Sequence, residues 1–546
     1  MIRSPIGKTL LMLITLGSAL TLLSAVAFAG GSSEQSAPAG AEEAGEGAGN
    51  EAGADTGGEA EGAGAGETRA QQARILEFAL SGNPDTLDPH KTTGTLTFQV
   101  LRSVYDTLVE PNRDGEIVPA LAKAWEVSDD RTRWTFRLRE GVRFHNGARF
   151  TAADVKATLD RIMADETGSP NATEYSAISE VRTPEEHTVV LELSEPYAPL
   201  LATLASGWSA IMPEELIESG HDFASKPVGT GPFTFEKWVR DTRIELRRNE
   251  RYWMEGHPKV GGVNINIITE NAVRVQGLIT GDLDLVDTVN DTDLPRLRSN
   301  PETKVERYLS GLVLVLAMNT DREPLSELPV RRAIAHAIDK QAALDAAYGG
   351  GKVVHTFMDH SDPYYSEPEP TYPHDPDQAR ELLREAGYGD GIELQMAVPQ
   401  NYEAHVAGAE VYQEMLSEVG IDVQLRQVDW STWLSDVYRG GNFDLTVIGH
   451  TGKLDPDGRL RTFLTDDNYV GFSTERLSDV LERARRVVDV EKRKELYAEA
   501  LGIFAEKVPH VYIGSPYIYV GMREEVSGFH VDPKLETFDF RYVEFE

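Results

Sequence analysis

The residues best suited to chemistry in this sequence are histidines and carboxylates that lie close together between residues 355 and 362. Imidazole and carboxylate groups are common ligands of divalent metal ions, and the members of this group are His355, Asp359, His360 and Asp362. Their spacing matches no standard four-ligand site. We therefore interpret the group as a polar loop and predict that the protein holds no metal.

Signatures of catalysis are absent from the full sequence. It contains no Gly-x-Ser-x-Gly nucleophile elbow and no His-Glu-x-x-His motif. The glycine run at 349–351 is followed by Lys352 and then Val353, where a phosphate-binding loop requires Ser or Thr. The chain has 0 Cys, which excludes disulfides and thiol nucleophiles. We predict that the protein is not an enzyme and uses no cofactor.

The regular elements that must position a binding site are clearest between residues 375 and 448. Asp375 is an N-cap candidate, and Pro376 suits the first helical position. Strands are predicted from residue 392, at 421–428 and at 443–448, with helices at 403–419 and 432–438. This alternation predicts a mostly parallel sheet covered on both faces. Ligands of such sheets lie beyond the carboxyl ends of the strands, where this chain has Gly449, His450, Thr451, Gly452 and Lys453.

The first part of the folded region contains mostly strands. Trp134 and Phe136 alternate with polar residues, which indicates a half-buried strand. A helix follows, with Thr151 as its predicted N-cap and Asp154 three residues later, near the positive end of the helix dipole. The tail at 508–546 returns to alternating apolar and aromatic residues.

The first residues have the layout of an export signal. Arg3 and Lys8 precede an apolar run that ends in Ala27, Phe28 and Ala29, a small-residue cleavage pattern. A membrane anchor is the alternative, because the run approaches the length of a bilayer span. With 0 Cys the chain cannot carry a thioether-linked lipid. We predict a cleaved signal peptide at 1–29 and a periplasmic protein that is not a lipoprotein.

A segment without large apolar side chains follows the predicted signal peptide. Residues 30–71 are rich in Gly, Ala and Glu and have almost no large apolar side chain, so they cannot bury enough surface to offset the entropy of ordering. We predict that this linker is disordered.

The chain is strongly acidic, with 53 Lys and Arg against 89 Asp and Glu, a formal net charge of −36. Such a surface repels phosphate backbones, so we predict no nucleic-acid partner.

Short segments along the chain resemble those of one family of transport proteins. They are TLDPH at 86–90, VYDTLV at 104–109, PALAKAW at 119–125, FRLREGVRFHNG at 136–147, PVGTGPF at 227–233, VRRAIAHAIDK at 330–340 and GIDV at 420–423. Their order, over nearly all of the chain after Gln71, resembles the extracytoplasmic solute-binding proteins of ABC importers. The specific resemblance is to the peptide/nickel-type family, solute-binding protein family 5.

This resemblance implies a fold class and a domain organisation. The class is α/β, and the implied fold is the two-lobed periplasmic-binding-protein fold of the large type, with a hinge and an additional subdomain in the first lobe. The implied segments are 72–108 and 223–309 in the first lobe, 109–222 as the inserted subdomain, 310–507 as the second lobe and 508–546 as a C-terminal segment that rejoins the first lobe.

The resemblance also implies which first-lobe residues lie at the cleft between the lobes. The loop that corresponds to residues 83–86 lines the cleft in family members, so Asn83, Asp85 and Thr86 are candidate ligand contacts. Gly229 and Gly231 resemble the strand-entry loop beside the cleft. We interpret these two glycines as a tight turn in which a Cβ would collide with its surroundings.

One departure from the family concerns the second lobe. Peptide-binding members place an aspartate shortly before an acidic-Pro pair, where it neutralises the amino terminus of the peptide. This chain has Gly452 or Lys453 there, followed by Asp455 and Pro456. Enclosing a ligand ammonium beside a lysine would cost on the order of several kcal/mol. The interpretations are that Lys453 faces an anionic group, that Asp455 rotates into the cleft in its place, or that Lys453 faces solvent.

The remaining candidate contacts are aromatic and polar side chains of the second lobe. The rings of Tyr402 and Trp430 can stack on sugar faces or hold apolar side chains. Together with His450 and Thr451 they complete the set of predicted ligand contacts.

The function implied by the resemblance is capture of a small solute by closure of two lobes, followed by delivery to the transmembrane subunits of an ABC permease. An oligopeptide is the leading solute. An oligosaccharide, an anionic small molecule and a nickel complex are alternatives, as is a receptor that serves a sensory partner. We expect a monomer.

Overall fold

The computed structural model describes residues 74–546 apart from Asp114 and Pro533. The predicted signal peptide and linker therefore lie outside the described residues. In the described part of the chain, no helix combines the length and the apolar character needed to cross a membrane.

Strands make up the central layer of the molecule. They are β1 (Ile75–Leu80), β2 (Val109–Pro111), β3 (Ile117–Pro119), β4 (Ala122–Val127), β5 (Arg133–Leu138), β6 (Ile178–Glu185), β7 (Thr188–Leu193), β8 (Phe233–Val239), β9 (Arg243–Arg248), β10 (Gly262–Ile267), β11 (Leu285–Val286), β12 (Thr303–Leu309), β13 (Val313–Met318), β14 (Gly351–Val353), β15 (Ile392–Pro399), β16 (Ile421–Val428), β17 (Leu445–His450), β18 (His510–Arg523), β19 (Val526–Ser527), β20 (His530–Asp532), β21 (Thr537–Asp539) and β22 (Glu544–Phe545). The largest sheet has 12 strands, in the order β16-β15-β17-β13-β18-β11-β1-β10-β9-β8, with β12 and β14 also paired to β18. A separate 4-stranded sheet has the order β4-β5-β7-β6.

Helices cover these sheets. The α-helices are Thr95–Leu101, Ala152–Met163, Leu200–Ala205, Glu214–Glu218, Asn271–Thr280, Leu294–Arg298, Leu328–Ala337, Lys340–Ala347, Pro376–Glu385, Glu403–Ser417, Trp430–Thr432, Asp457–Leu460, Glu475–Arg486 and Val490–Lys507. One π-helical segment, Trp433–Tyr438, continues the short helix before it. The predicted helix at 432–438 is thus present with a wider turn.

Local chemistry explains where the predicted helices begin. The Thr151 hydroxyl accepts a hydrogen bond from the Ala153 amide, and the Asp154 carboxylate accepts one from the Thr151 amide, which completes a capping box. Asp375 accepts from the amide of Gln378 at 2.9 Å, with Pro376 at the start of its helix. Both predicted N-termini are confirmed.

The prediction of a parallel sheet is confirmed for the three strands of the alternating region, whereas the other strand pairs of the second-lobe sheet are antiparallel. Strand β15 is parallel to β16 and to β17, but β13 pairs antiparallel with both β17 and β18. Parallel pairing is expected only for strands that are joined by a crossover helix. Strand β18 lies outside the alternating strands and helices of residues 375–448, so the alternation does not determine its direction.

Two lobes are defined by separate hydrophobic cores. The largest core cluster of the first lobe joins residues 76–285 to residues 520–545. The clusters of the second lobe contain residues 313–513. Strand β18 belongs to both lobes, since its first half pairs with β13 and β14 and its second half with β12. The chain therefore crosses between the lobes at 310–312 and again within β18.

Candidate functional site

The segment that follows β17 lies at a recess where the two lobes meet. We call it the interlobe recess. Its lining residues are Gly311, Phe357, Met358, Asp359, Asp362, Gly452, Lys453, Pro456, Arg459, Leu460 and Lys534. A Cβ on Gly452 would lie 2.4 Å from the backbone oxygen of Lys534 in the first lobe. The lobes touch closely at this point.

Lys453 extends from the second lobe onto an aromatic ring of the first. Its Nζ lies 4.4 Å from the centroid of the Trp208 ring, a cation–π distance. Burial lowers the pKa of Lys453, while Glu174 of the first lobe opposes that effect. Among the described residues Lys453 has no hydrogen-bond acceptor and no ion-pair partner. Its ammonium is therefore available to a ligand that enters the interlobe recess.

Two arginines stand beside this lysine. Arg459 donates a hydrogen bond to the backbone oxygen of Thr451 and forms no ion pair with a described residue. Burial lowers the pKa of Arg459 to about 10. Arg461 donates to the backbone oxygen of Thr173 in the first lobe at 2.8 Å. Thr451 thus contributes its backbone oxygen to the orientation of Arg459.

Glu174 of the first lobe is the acidic group whose charge acts on Lys453. Burial raises the pKa of Glu174, and the charges of Lys453 and Arg461 act in the opposite direction. The two side chains face each other across the lobe boundary without forming an ion pair. The space between them therefore offers both a cationic and an acidic group.

A second set of contacts joins the lobes beside the interlobe recess. The Tyr197 hydroxyl donates to the Asp457 carboxylate at 3.0 Å, and both side chains are buried. The amide of Ala198 donates to the backbone oxygen of Arg485 at 2.8 Å. Because these bonds cross from one lobe to the other, they exist only when the lobes are together.

The structure does not bring the predicted first-lobe loop contacts to the interlobe recess. The Asn83 amide donates to the Asp241 carboxylate at 2.7 Å. The Asp85 carboxylate accepts from the Thr92 hydroxyl at 2.9 Å, and the Thr86 hydroxyl accepts from the amide of Asp88 at 3.1 Å. Each of these three side chains is hydrogen-bonded to another group of the first lobe.

The predicted aromatic contacts belong to a ladder of rings in the second lobe. Tyr402 packs edge-on against Trp430 at 5.3 Å, and Trp430 stacks on Trp433 at 5.0 Å. Trp433 is buried and donates from Nε1 to the Thr446 hydroxyl at 3.0 Å. Tyr402 is 42% exposed. Neither Tyr402 nor Trp430 lines the interlobe recess.

His450 lies behind the wall of the interlobe recess. Its Nε2 is 2.9 Å from the Tyr469 hydroxyl, which in turn is 2.7 Å from Nε2 of His510. Burial lowers the pKa of His450 well below its ordinary value. The ring of Phe357, which lines the recess, packs edge-on against it at 5.7 Å. His450 therefore supports the wall of the interlobe recess and is not one of its lining residues.

The interpretation that Asp455 rotates toward the ligand is not supported. Both of its carboxylate oxygens accept from Arg493, at 2.6 and 2.7 Å. The buried guanidinium fixes the carboxylate against the helix Val490–Lys507. A bidentate pair of this kind holds Asp455 away from the interlobe recess.

The histidine and carboxylate group at 355–362 is dispersed among other partners. His355 contacts the Lys340 ammonium at 2.9 Å through Nδ1, and Asp362 pairs with Lys534 at 2.8 Å. Within the described ranges, no set of three or more His, Cys, Asp or Glu side chains is arranged to hold a metal ion.

Comparison with known proteins identifies the family. The model for bacterial extracellular solute-binding proteins, family 5 (middle region), matches residues 116–471. The chain belongs to this family. Di/tripeptide-binding protein 1 of Pseudomonas aeruginosa (strain UCBPP-PA14) is 31% identical over 497 residues, which are 84% of this chain and 92% of that relative. The family consists of substrate-binding proteins of ABC transporters.

Solved structures show the same family 5 fold. The binding protein AgaA of A. tumefaciens R10 in complex with agropinic acid is 31% identical, with a TM-score of 0.76, and the match covers 86% of this chain and 99% of that one. DppA of Helicobacter pylori in complex with the peptide STSA is 27% identical, with a TM-score of 0.78, and the match covers 88% and 99%. The predicted two-lobed α/β fold is confirmed.

Several residues at the recess of this family 5 protein were not predicted from its sequence. Arg459 and Arg461 follow Lys453 closely in an acidic chain, and that local cluster of positive charge was a usable signal. Trp208 belongs to the aromatic residues that could reach the cleft, but Glu174 carried no comparable signal, because only the fold of the first lobe brings it to the second lobe.

Proposed function

We propose that this protein captures a short peptide between its lobes and delivers it unaltered to the transmembrane subunits of an ABC importer. The observation that carries the proposal is the interlobe recess, lined from both lobes and containing an unpaired lysine. The relative from Pseudomonas aeruginosa is named for di- and tripeptides, and the Helicobacter pylori structure holds a peptide. An anionic small molecule is the second candidate, favoured by Lys453 and by the relative solved with agropinic acid.

The proposed mechanism is closure about the crossings at 310–312 and β18. A ligand that touches both lobes binds the closed state more tightly and shifts the population toward it. Closure also forms the hydrogen bond between Tyr197 and Asp457. No bond of the ligand is broken. The protein acts as a periplasmic monomer released from its signal peptide, with the segment boundaries expected from the sequence.

Binding and compaction measured together test this function. We expect titration calorimetry against a dipeptide and tripeptide library to identify ligands, and X-ray scattering with those ligands to show a smaller radius of gyration than without them. A deletion strain should lose uptake of the same peptides. Turnover of a bound peptide would contradict the proposal, as would binding with no change in compactness.

Removing the Tyr197 hydroxyl should weaken ligand binding without unfolding either lobe. The hydroxyl donates to a buried carboxylate of the other lobe at 3.0 Å, and a hydrogen bond to a charged group contributes about 1.5–3 kcal/mol. Because the bond exists only in the closed state, Tyr197→Phe should raise the Kd of a bound peptide by about tenfold to a hundredfold. Calorimetry measures the change.

Tyr388 provides a matched control for this substitution. Its hydroxyl also donates to a carboxylate, that of Glu327 at 2.7 Å, but both residues belong to the second lobe. We expect Tyr388→Phe to leave the Kd unchanged within about twofold, because a bond within one lobe is present whether the lobes are open or closed and so does not bias closure. Equal Kd values for the wild type and Tyr197→Phe would show that this contact does not control closure.

A further inference from the structure

Two basic residues that line the interlobe recess, Lys453 and Arg459, have no acidic partner among the described residues, in a chain that is strongly acidic overall. Lys453, Arg459 and Arg461 lie within one short segment, and none of them forms an ion pair with a described residue. Their polar contacts are with backbone oxygens, and Lys453 rests on a ring. The chain as a whole carries a formal net charge of −36. This local excess of positive charge is therefore not a general property of the surface.

The acids nearby are mostly neutralised by other residues. Three carboxylates already have cationic partners, in the pairs Asp362–Lys534 at 2.8 Å, Asp455–Arg493 at 2.6 Å and Asp457–Arg485 at 3.1 Å. Asp359 and Glu174 remain without an ion pair. The Asp359 carboxylate accepts from the amide of Ser361 at 2.7 Å. Among the charged residues that line the recess, Lys453 and Arg459 thus have no ion-pair partner in the described part of the chain, against one such acid, Asp359, and one positive charge is left over.

Lys453 stands out within this set. An ammonium removed from water without an anionic partner lowers the stability of the folded chain. Contact with the Trp208 ring offsets part of that cost, since a cation over an aromatic face is attracted to it. The lowered pKa of Lys453, which burial causes, agrees with an incompletely compensated charge. An anion that enters the interlobe recess would supply the missing compensation.

We propose that the interlobe recess binds a carboxylate of the solute between the Lys453 ammonium and the Arg459 guanidinium. This inference rests on the proposed function and specifies how its ligand lies. The peptide is oriented with its carboxylate against the segment 451–459, and its ammonium points away from that segment. Charge-assisted hydrogen bonds from two cations are stronger than neutral ones and exclude an ammonium at the same place.

Peptides with one end blocked test this orientation. Calorimetry is performed with a dipeptide library in three forms, free, N-acetylated and C-terminally amidated, and with glutarate as a simple carboxylate probe. We expect amidation to weaken binding by about tenfold to a hundredfold, the effect of losing a charged hydrogen bond. Acetylation should change the Kd by less than about threefold.

Substitution of Lys453 tests whether the effect of amidation on binding arises at the interlobe recess. In Lys453→Met, which keeps an unbranched side chain of nearly the same length and removes the ammonium, amidated and free peptides should bind equally weakly. The variant should unfold at the same temperature as the wild type or higher, because an unpaired charge has been removed. Lys352→Met is the matched control, since Lys352 is an exposed residue of β14 outside the recess. It should keep the wild-type response to amidation.

The outcomes separate this inference from the proposed function. Binding that survives amidation but is lost on acetylation overturns the orientation and leaves peptide capture intact. Glutarate binding that Lys453→Met abolishes, with no peptide bound in any form, overturns peptide capture and keeps the carboxylate site. If neither peptides nor glutarate bind, both proposals are wrong.

Discussion

Replacement of Asp455 with alanine is expected to lower the free energy of unfolding by about 3–5 kcal/mol. The Asp455 carboxylate accepts from both Nη atoms of Arg493, at 2.6 and 2.7 Å, and both side chains are buried. Burial alone lowers the pKa of Arg493, but the carboxylate raises it above its ordinary value overall. The guanidinium keeps its charge after the substitution and loses its anion. Urea denaturation followed by circular dichroism measures the loss.

Asp160 offers the matched control for this substitution. It pairs with Lys156 at 2.8 Å on an exposed helix face, so Asp160→Ala should change stability by less than about 0.5 kcal/mol. Adding Arg493→Met to Asp455→Ala removes the stranded charge and should restore part of the stability. Wild-type stability of Asp455→Ala, combined with lost ligand binding, would instead make Asp455 a ligand contact.

Gly229→Ala is expected to lower the free energy of unfolding by about 3 kcal/mol, at the upper end of overpacking costs. A Cβ on Gly229 would lie 2.2 Å from the backbone oxygen of Val104 and 2.7 Å from a ring carbon of Tyr105. The same Val104 oxygen accepts a hydrogen bond from the amide of Gly231 at 3.0 Å, so it cannot move without weakening that bond. Urea midpoints of wild type and variant give the difference.

Gly502 is the matched control for Gly229. It lies in the helix Val490–Lys507, and apart from its chain neighbours and the backbone of its own helix no heavy atom lies within 4 Å of the position that a Cβ would occupy. Alanine is favoured over glycine in a helix by about 1 kcal/mol. Gly502→Ala should therefore leave stability unchanged or raise it. Similar losses from both substitutions would show that the collision at Gly229 is relieved by relaxation of the turn.

Features that depend on residues close together in the sequence could be predicted from it. The capping box at Thr151 needs only the residue three positions later, and the collision at Gly229 follows from a short turn motif. The direction of β18 depends on β13, which lies far away in the chain. Alternating apolar residues indicate that a strand is half buried, but they carry no information about which strand lies beside it.

The sequence located the second-lobe side of the interlobe recess more directly than the first-lobe side. Lys453 could be located because it follows a strand of the alternating region, at the edge of the sheet where ligands bind. Its partner ring on Trp208 comes from a different lobe. The predicted contacts Asn83 and Asp85 lie outside the recess lining, because short polar side chains in loops bond to nearby groups of the same lobe first.

The shared strand β18 also couples the stability of the two lobes. It supplies a central strand to the large sheet on both sides of the crossing. Without it, the inner strands of both lobes would lack a neighbour and would keep backbone groups unpaired. A change that weakens β18 therefore destabilises both halves of the molecule at once.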